Sequence, residues 1–236
     1  MQQALGLPTF TIQFFLMKKN KEAILATLKQ QGLLPLYYLE SQEESAAILQ
    51  AMYNAGVRIV EYTNRGHAAL KNFSYLSGLA KREMPDLHLG IGTIKTPQDA
   101  EAFINAGADF IVSPIVSAEV ASVVNAAGLL WVPGCMTPTE IHLAQQNEAM
   151  LIKLFPANVL GTGFMSAIKE LFPGQLFIPT GGVDTTQENI TSWFQAGVCA
   201  VGMGSKLITK EITANKNYSL LEQQTKVLLE LIGNCR

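Results

Sequence analysis

A lysine lies within a short apolar run that has the composition of a buried strand. The run extends from Met150 to Phe155, and Lys153 is its only charged residue. An ammonium group among apolar side chains loses hydration, which favours the neutral amine. A neutral amine can condense with a ketone to form a Schiff base, so Lys153 is a candidate covalent nucleophile. A lysine that reaches solvent from a strand end, or pairs with a buried carboxylate, would show the same pattern.

A carboxylate ends a second apolar run, Ile59-Val60-Glu61. Forming and breaking a Schiff base requires a group that carries protons within hydrogen-bond reach, often through one water molecule. The carboxyl ends of parallel strands meet at one face of a barrel or one edge of a sheet, so we expect Glu61 near Lys153. Glu61 is therefore a candidate general acid and base, and an ion pair with Lys153 or Arg65 is the structural alternative.

Two residues on the predicted loops could bind a substrate. Arg65 follows Glu61 closely, and its guanidinium could hold a substrate carboxylate in two parallel hydrogen bonds. Thr93 follows Gly90-Ile91-Gly92, whose glycines would let backbone amides approach a ligand. An arginine exposed on a loop, and a threonine that caps a helix or turn, are the alternatives.

Two glycine-rich turns follow the last two predicted strands. They are Pro179-Thr180-Gly181-Gly182-Val183 and Gly202-Met203-Gly204-Ser205. In (β/α)8 barrels the loops after the seventh and eighth strands commonly bind phosphate through backbone N–H groups. The same glycines would also suit tight turns without a ligand.

The elements that must position these residues alternate along the chain as short apolar runs and longer amphipathic stretches, which indicates βα units. The predicted strands are Leu33–Leu39, Arg58–Tyr62, His88–Gly92, Asp109–Val112, Leu129–Val132, Met150–Phe155, Leu176–Pro179 and Ala200–Gly202. The predicted helices are Glu43–Ala55, Ala68–Lys81, Thr96–Ala106, Glu119–Ala127, Pro138–Gln146, Gly163–Leu171 and Glu188–Ala196. Eight units at regular spacing favour a single-domain (β/α)8 TIM barrel over an open doubly wound sheet.

Helix boundaries are marked by capping residues. Thr96-Pro97 and Thr137-Pro138 each place an N-cap residue before a proline at the first helical position. Glycines that can adopt a left-handed backbone follow four of the predicted helices, and these are Gly56, Gly107, Gly128 and Gly197.

Composition limits the class of protein. The chain has 236 residues, of which 48% are hydrophobic and 15% charged, so a disordered chain is excluded. A net charge of −2 gives no broad reason to bind nucleic acid or anionic lipid, and no apolar run is long enough to span a membrane.

Three dispersed cysteines and three dispersed histidines suggest neither disulfides nor a metal site, and a reducing cytoplasm fits best. We expect residues 1–16 to form an N-terminal extension and residues 17–236 the barrel.

These motifs together resemble the family of 2-keto-3-deoxy-6-phosphogluconate (KDPG) and 4-hydroxy-2-oxoglutarate (KHG) aldolases. The resemblance extends from about Leu33 to Leu207. The motifs that carry it, in addition to the two glycine-rich turns, are Gly56-Val57-Arg58-Ile59-Val60-Glu61-Tyr62-Thr63, Gly90-Ile91-Gly92-Thr93, Gly107-Ala108-Asp109-Phe110-Ile111-Val112-Ser113-Pro114, Pro133-Gly134 with Thr137-Pro138-Thr139-Glu140, and Lys153-Leu154-Phe155-Pro156.

The resemblance implies a class I aldolase that cleaves a 2-keto-4-hydroxy acid to pyruvate and an aldehyde, either glyceraldehyde 3-phosphate or glyoxylate. It implies that Lys153 forms the Schiff base and that Glu61 is the general acid and base. It further implies a (β/α)8 barrel that assembles as a homotrimer, acts on a small-molecule keto acid or sugar-acid phosphate and needs no metal or other cofactor. The keto-acid pocket would be formed by Arg65, Thr93, Pro114 and Thr180, and the phosphate-binding turns by Gly181, Gly182, Gly204 and Ser205.

The chain departs from the family pattern at three positions. Tyr37 stands where many members have an arginine or a smaller residue, Ile91 where alanine is usual, and Ile115 where glycine is frequent. We expect the two isoleucines to narrow or reshape the mouth of the barrel.

Two other functions would use the same glycine-rich turns to bind a phosphate group. The first is a sugar-phosphate isomerase or epimerase in which Glu61 acts as a base without a covalent step, and the second is a sugar-phosphate binding protein without catalysis. Only the combination of Lys153 with Glu61 separates an aldolase from these alternatives.

Overall fold

The computed structural model describes residues 21–236, and the extension predicted for residues 1–16 lies outside this range. Its strands are β1 (Leu33–Tyr37), β2 (Ile59–Thr63), β3 (His88–Gly92), β4 (Phe110–Val112), β5 (Leu130–Val132), β6 (Gly134–Cys135), β7 (Leu151–Leu154), β8 (Leu176–Pro179) and β9 (Val201–Met203). Its helices are α1 (21–31), α2 (Gln42–Asn54), α3 (Ala69–Glu83), α4 (Pro97–Asn105), α5 (Ala118–Ala126), α6 (Pro138–Gln146), α7 (Ala157–Ile168), α8 (Gln187–Ala196), α9 (Lys210–Ala214) and α10 (Tyr218–Asn234).

The strands close into a parallel (β/α)8 barrel. Six strands pair in the order β5-β4-β3-β2-β1-β9, and three pair in the order β6-β7-β8. Strands β5 and β6 are two parts of one barrel strand, divided at Pro133, which has no N–H group to donate to a ladder. A parallel bridge between Thr180 and Gly202 joins β8 to β9 and completes the ring. The predicted barrel is thus confirmed, and the open sheet is excluded.

Alternation along each strand separates two apolar layers. In β2, Ile59 belongs to a cluster inside the barrel, whereas Val60 and Tyr62 belong to a cluster between the strands and the helices. In β7, Leu151 lies inside and Ile152 outside in the same way. Because successive side chains of a strand point to opposite faces, the odd-numbered positions of both strands point into the barrel.

Helix α1 closes the amino-terminal end of the barrel. Its Ile24, Leu25 and Leu28 pack into the interior cluster, and all three are buried. The side chain of Gln31 at the end of this helix bonds to the backbone of β1 and β2, accepting from the N–H of Ile59 and donating to its carbonyl oxygen. The open end of the barrel is therefore the carboxyl end of the strands, where barrel enzymes carry their sites.

The predicted caps and most predicted boundaries agree with the structure. Thr96 and Thr137 each accept a hydrogen bond from a backbone N–H in the first turn of their helices. The four glycines predicted after helices, Gly56, Gly107, Gly128 and Gly197, all have positive φ. The strands His88–Gly92 and Leu176–Pro179 match the structure residue for residue.

Several boundaries were wrong. Strand β2 continues to Thr63, so Glu61 lies in the middle of the strand rather than at its end. Helix α7 begins six residues before the predicted Gly163, because the chain is helical on both sides of a kink at Gly161, where φ is 72° and ψ is 171°. Helices α1, α9 and α10 lie outside the predicted helices.

None of the helices within residues 21–236 is both long enough and apolar enough to cross a membrane.

Candidate active site

Lys153 and Glu61 meet inside the barrel although they belong to distant strands. Both occupy inward positions, Lys153 on β7 and Glu61 on β2, and their side chains are 7% and 1% exposed. The Lys153 Nζ atom lies 3.9 Å from the Glu61 Oε1 atom. This distance allows proton exchange through a small shift or one bridging water, and it fits an amine that is assisted by a proton carrier.

The Glu61 side chain fits into the barrel because Gly92 on the next strand has no side chain. Strand β3 pairs with β2, with Glu61 opposite Gly90 and Thr63 opposite Gly92. A Cβ atom on Gly92 would lie 1.8 Å from Glu61 Oε1. Gly92 is therefore glycine because the carboxyl group occupies the volume where any other residue would place its side chain.

We expect Gly92→Ala to displace Glu61 and to lower kcat by about 100-fold, since a misplacement near 1 Å has such effects. Urea unfolding should show a loss of stability of about 1–3 kcal/mol from overpacking. The matched control is Gly78→Ala in α3, where a Cβ atom would make only an ordinary contact of 3.5 Å. Equal kcat values for Gly92→Ala and Gly78→Ala would contradict this explanation.

Burial makes the Glu61 carboxyl group a weaker acid than an exposed glutamate. Desolvation raises the pKa of its carboxyl group above the ordinary value of 4.5, although the positive charges of Lys153 and Arg65 oppose this shift. Its second oxygen, Oε2, is buried and has no hydrogen-bond partner among the described residues. A carboxyl group with a raised pKa and a free oxygen can accept a proton from a substrate and return it.

A cleft of about 470 Å³ opens above this pair at the carboxyl end of the barrel. Glu61 does not itself line the cleft but lies next to Lys153, which does. All other predicted site residues line the cleft. They are Lys153, Arg65, Thr93, Pro114, Thr180, Gly181, Gly182, Gly204 and Ser205. The cleft thus brings together predicted site residues that belong to or follow six barrel strands.

Thr93 has an unusual backbone conformation directly after β3. Its φ is +65°, a region that side chains other than glycine rarely adopt. Backbone hydrogen bonds of the residues before and after Thr93 hold this conformation. The Asn64 N–H donates to the carbonyl oxygen of Gly92, and the Ile94 N–H donates to the carbonyl oxygen of Val112. Strained residues of this kind cluster at functional sites, where the surrounding structure compensates for the cost.

The two glycine-rich turns are neighbours, because Thr180 pairs with Gly202, and both turns line the cleft. Gly181 and Gly182 have φ of +92° and +83°, and a Cβ atom on Gly182 would lie 2.5 Å from the Cβ atom of Asn158. The start of α7 supports the first turn, because the N–H groups of Ala157 and Asn158 donate to the carbonyl oxygens of Thr180 and Gly181. These glycines let backbone groups approach the cleft, as a phosphate-binding turn requires.

Comparison with known proteins decides the family. Residues 24–224 match the family described as "KDPG and KHG aldolase". The chain belongs to this family. The aldolase is accordingly a carbon–carbon lyase built as a TIM barrel, as the motifs predicted.

Relatives of the aldolase match it over nearly their whole length. It is 29% identical over 212 residues to a 2-dehydro-3-deoxy-phosphogluconate aldolase of Treponema pallidum, covering 89% of this chain and 98% of the relative. It is 28% identical over 221 residues to the enzyme of that name from Pseudomonas aeruginosa, covering 92% and 97%. A crystal structure of KDPG aldolase from Legionella pneumophila, with pyruvate captured as a covalent carbinolamine intermediate, superimposes with a TM-score of 0.78 at 25% identity, covering 87% and 97%.

Some residues of the cleft were missed by sequence reasoning. The aromatic ring of Phe155 lies 5.1 Å from the Nζ atom of Lys153, and Lys206 and Lys210 line the cleft beyond Ser205. Tyr38 also lines it, and its hydroxyl group donates to a carboxylate oxygen of Glu40. The position of Lys206 directly after the turn Gly204-Ser205 was the signal that could have revealed it.

The expectation that Ile91 narrows or reshapes the mouth of the barrel was wrong. Ile91 is fully buried, belongs to the cluster between strands and helices, and pairs with Ile111 of β4, so it does not narrow the opening of the aldolase. Ile115 is 50% exposed and follows Pro114 at the rim. Alternation along β3 explains the difference, since Gly90 and Gly92 take the inward positions and Ile91 must point outward.

Proposed function

We propose that the chain is a class I aldolase in which Lys153 forms a Schiff base with the ketone of a 2-keto-4-hydroxy acid and Glu61 carries the protons. The observation that carries this proposal is the buried Lys153 amine 3.9 Å from the buried Glu61 carboxyl group. Pyruvate and an aldehyde would be the products. The covalent carbinolamine of the Legionella pneumophila enzyme with pyruvate supports the same chemistry for this chain.

The proposed cycle begins when Lys153 passes a proton to Glu61 and its free amine attacks the C2 ketone. The carbinolamine then loses water to give an iminium ion, with Glu61 moving the protons through water. Glu61 takes the proton of the C4 hydroxyl group as the C3–C4 bond breaks. The electron pair of that bond forms the C2–C3 double bond, and the π pair of the iminium bond moves onto nitrogen. An aldehyde leaves, and the enamine of pyruvate remains on Lys153.

The second half of the cycle restores both residues. Glu61 returns its proton to C3 of the enamine, which regenerates the iminium ion. Water then adds to C2 and releases pyruvate and free Lys153. The raised pKa of Glu61 suits this exchange, because its carboxyl group both accepts and donates a proton within one turnover.

Residues around the pair would hold the two ends of the substrate. Arg65 would bind the carboxylate beside the ketone, with Thr93, Pro114 and Thr180 shaping that part of the cleft. Gly181, Gly182, Gly204 and Ser205 would face the distal end of the substrate, where backbone N–H groups and a hydroxyl can bind an anion.

Reductive trapping tests the proposal. We expect incubation with pyruvate and borohydride to add one reduced pyruvate group, which peptide mass spectrometry locates on Lys153. No metal or organic cofactor is proposed, so a chelator should leave the adduct yield unchanged. An isomerase or a binding protein without catalysis would give no adduct, and that result, or an adduct on another lysine, would reject the proposal.

The proposal also includes the oligomeric state of the protein and the compartment in which it acts. We propose a homotrimer, supported by three exposed apolar side chains that could form a subunit contact: Ile115 follows β4, Met136 follows β6, and Leu143 lies in α6. Free cysteines at positions 135, 199 and 235 support action in the reducing cytoplasm.

A further inference from the structure

Tyr38 joins two loops at the mouth of the barrel. It follows β1 directly and lines the cleft, and its hydroxyl group donates a hydrogen bond to a carboxylate oxygen of Glu40. The same hydroxyl group lies against Gly66, in the loop between β2 and α3, where a Cβ atom would clash with it. Because Gly66 has no side chain, the Tyr38 hydroxyl group can approach the backbone of that loop.

The loop that Tyr38 contacts, residues 64–68, carries Arg65 and has little support of its own. Arg65 is exposed, so its position depends on the backbone of the loop. Ala68 is the N-cap of α3 and makes no side-chain hydrogen bond to the first turn, unlike the threonine caps of α4 and α6. Tyr38 therefore supplies from outside a contact that the loop does not make for itself.

The Tyr38 hydroxyl group keeps its proton at neutral pH. Burial and the hydrogen bond to Glu40 raise its pKa to about 12, although a hydrogen bond from the backbone of Ala68 opposes this shift. A protonated hydroxyl group can donate to Glu40 while its oxygen accepts from a backbone N–H. One group thus connects the loop after β1 with the loop after β2.

Buried polar groups hold the loop of Tyr38 from behind. The Tyr62 hydroxyl group donates to the carbonyl oxygen of Leu39 at 2.9 Å, and the Asn72 side-chain amide donates to the carbonyl oxygen of Glu40 at 3.0 Å. Tyr62 and Asn72 are both buried. Leaving a buried polar group unpaired costs about 1–3 kcal/mol, so these bonds fix the backbone directly after Tyr38.

We propose that Tyr38 is a positioning residue that fixes the loop carrying Arg65 and thereby sets the affinity of the cleft for the carboxylate beside the substrate ketone. The inference rests on the proposed function, in which Arg65 binds that carboxylate while Lys153 binds the ketone. Tyr38 acts through Gly66, the residue that follows Arg65, and Glu40 orients the Tyr38 hydroxyl group. Two parallel hydrogen bonds from a guanidinium require close alignment, so a displaced loop weakens them.

Pyruvate alone tests the inference, because it contains the ketone and the carboxylate but no distal group. We expect Tyr38→Phe to raise the pyruvate concentration that half-saturates borohydride trapping by about five- to tenfold, with the same yield at saturation. In the cleavage assay, KM should rise by the same factor and kcat should stay within about twofold of wild type. The carboxylate contact is the same in the ground state and the transition state, so its loss affects binding alone.

Variants of Glu40 separate the hydrogen bond from the bulk of the ring. Glu40→Gln keeps an oxygen that accepts from Tyr38, so its half-saturating pyruvate concentration should stay within about twofold of wild type. Glu40→Ala removes the acceptor and should behave like Tyr38→Phe. The matched control is Tyr75→Phe, an exposed tyrosine of α3 that does not line the cleft, and it should bind pyruvate as wild type does.

A double-mutant cycle shows whether Tyr38 acts through Arg65. Arg65→Gln should raise the half-saturating pyruvate concentration at least about tenfold, and adding Tyr38→Phe should change it by less than about twofold. Equal increases from Tyr38→Phe in both backgrounds would mean that Tyr38 contacts the substrate itself, which would overturn the inference. Wild-type pyruvate binding in Tyr38→Phe or in Arg65→Gln would overturn it as well. All these results leave the adduct on Lys153 intact, whereas failure of trapping in wild-type protein would reject the proposed function.

Discussion

Replacing Lys153 by Met is expected to abolish cleavage and trapping while the barrel still folds. Without the amine no covalent intermediate can form, so kcat should fall by a factor on the order of 10⁴ or more, as after removal of other catalytic nucleophiles. Met keeps an unbranched apolar chain of similar length in the interior. Pyruvate release and adduct mass measure the loss, and circular dichroism checks the fold.

Lys153→Arg separates nucleophilicity from charge. Arginine keeps a positive charge beside Glu61 but stays protonated at neutral pH, so it cannot form a Schiff base. Both Lys153 variants should therefore be inactive, although only Lys153→Met removes the charge that lowers the pKa of Glu61. Substantial activity in Lys153→Arg would show that the amine acts through charge alone and would contradict the covalent mechanism.

Glu61→Gln is expected to have the second largest effect. Glutamine keeps the size and the oxygen acceptor of Glu61 but cannot transfer a proton, so kcat should fall by about 10²–10⁴-fold, the usual contribution of general acid–base catalysis. Trapping with pyruvate should become slower yet reach the same final yield, because Lys153 is still present. Glu222→Gln on the surface of α10 is the matched control and should be as active as wild type.

The pH dependence of the wild-type protein provides an independent check on Glu61. Burial raises the pKa of its carboxyl group, so the acidic limb of the pH–rate profile should lie above pH 4.5 and disappear in Glu61→Gln. The same shift affects stability, because the folded state binds this proton more tightly than the unfolded state. The stabilisation is complete below pH 4.5 and is lost as pH rises through the raised pKa. Unfolding curves that show no difference in pH dependence between wild type and Glu61→Gln would argue against the raised pKa.

The sequence already contained the local structure and the chemical character of the site. Alternating short apolar runs and amphipathic stretches indicated eight βα units because a parallel barrel buries both faces of its strands. Threonine before proline, and glycine after a helix, marked helix ends because those residues satisfy or permit the required backbone geometry. Lys153 was conspicuous because a single charge in an apolar strand is costly without a role.

Only the tertiary structure decided which of these residues meet. The inward direction of Glu61 and Lys153 depends on strand register around the whole barrel, and a shift of one residue would turn either side chain toward the helices. The same register turned Ile91 away from the mouth and gave Gly92 its role beside Glu61. Lys206 and Lys210 acquired a place in the cleft only when the segment after β9 folded against it. Contacts between distant segments depend on closure of the sheet, which no local pattern in the chain specifies.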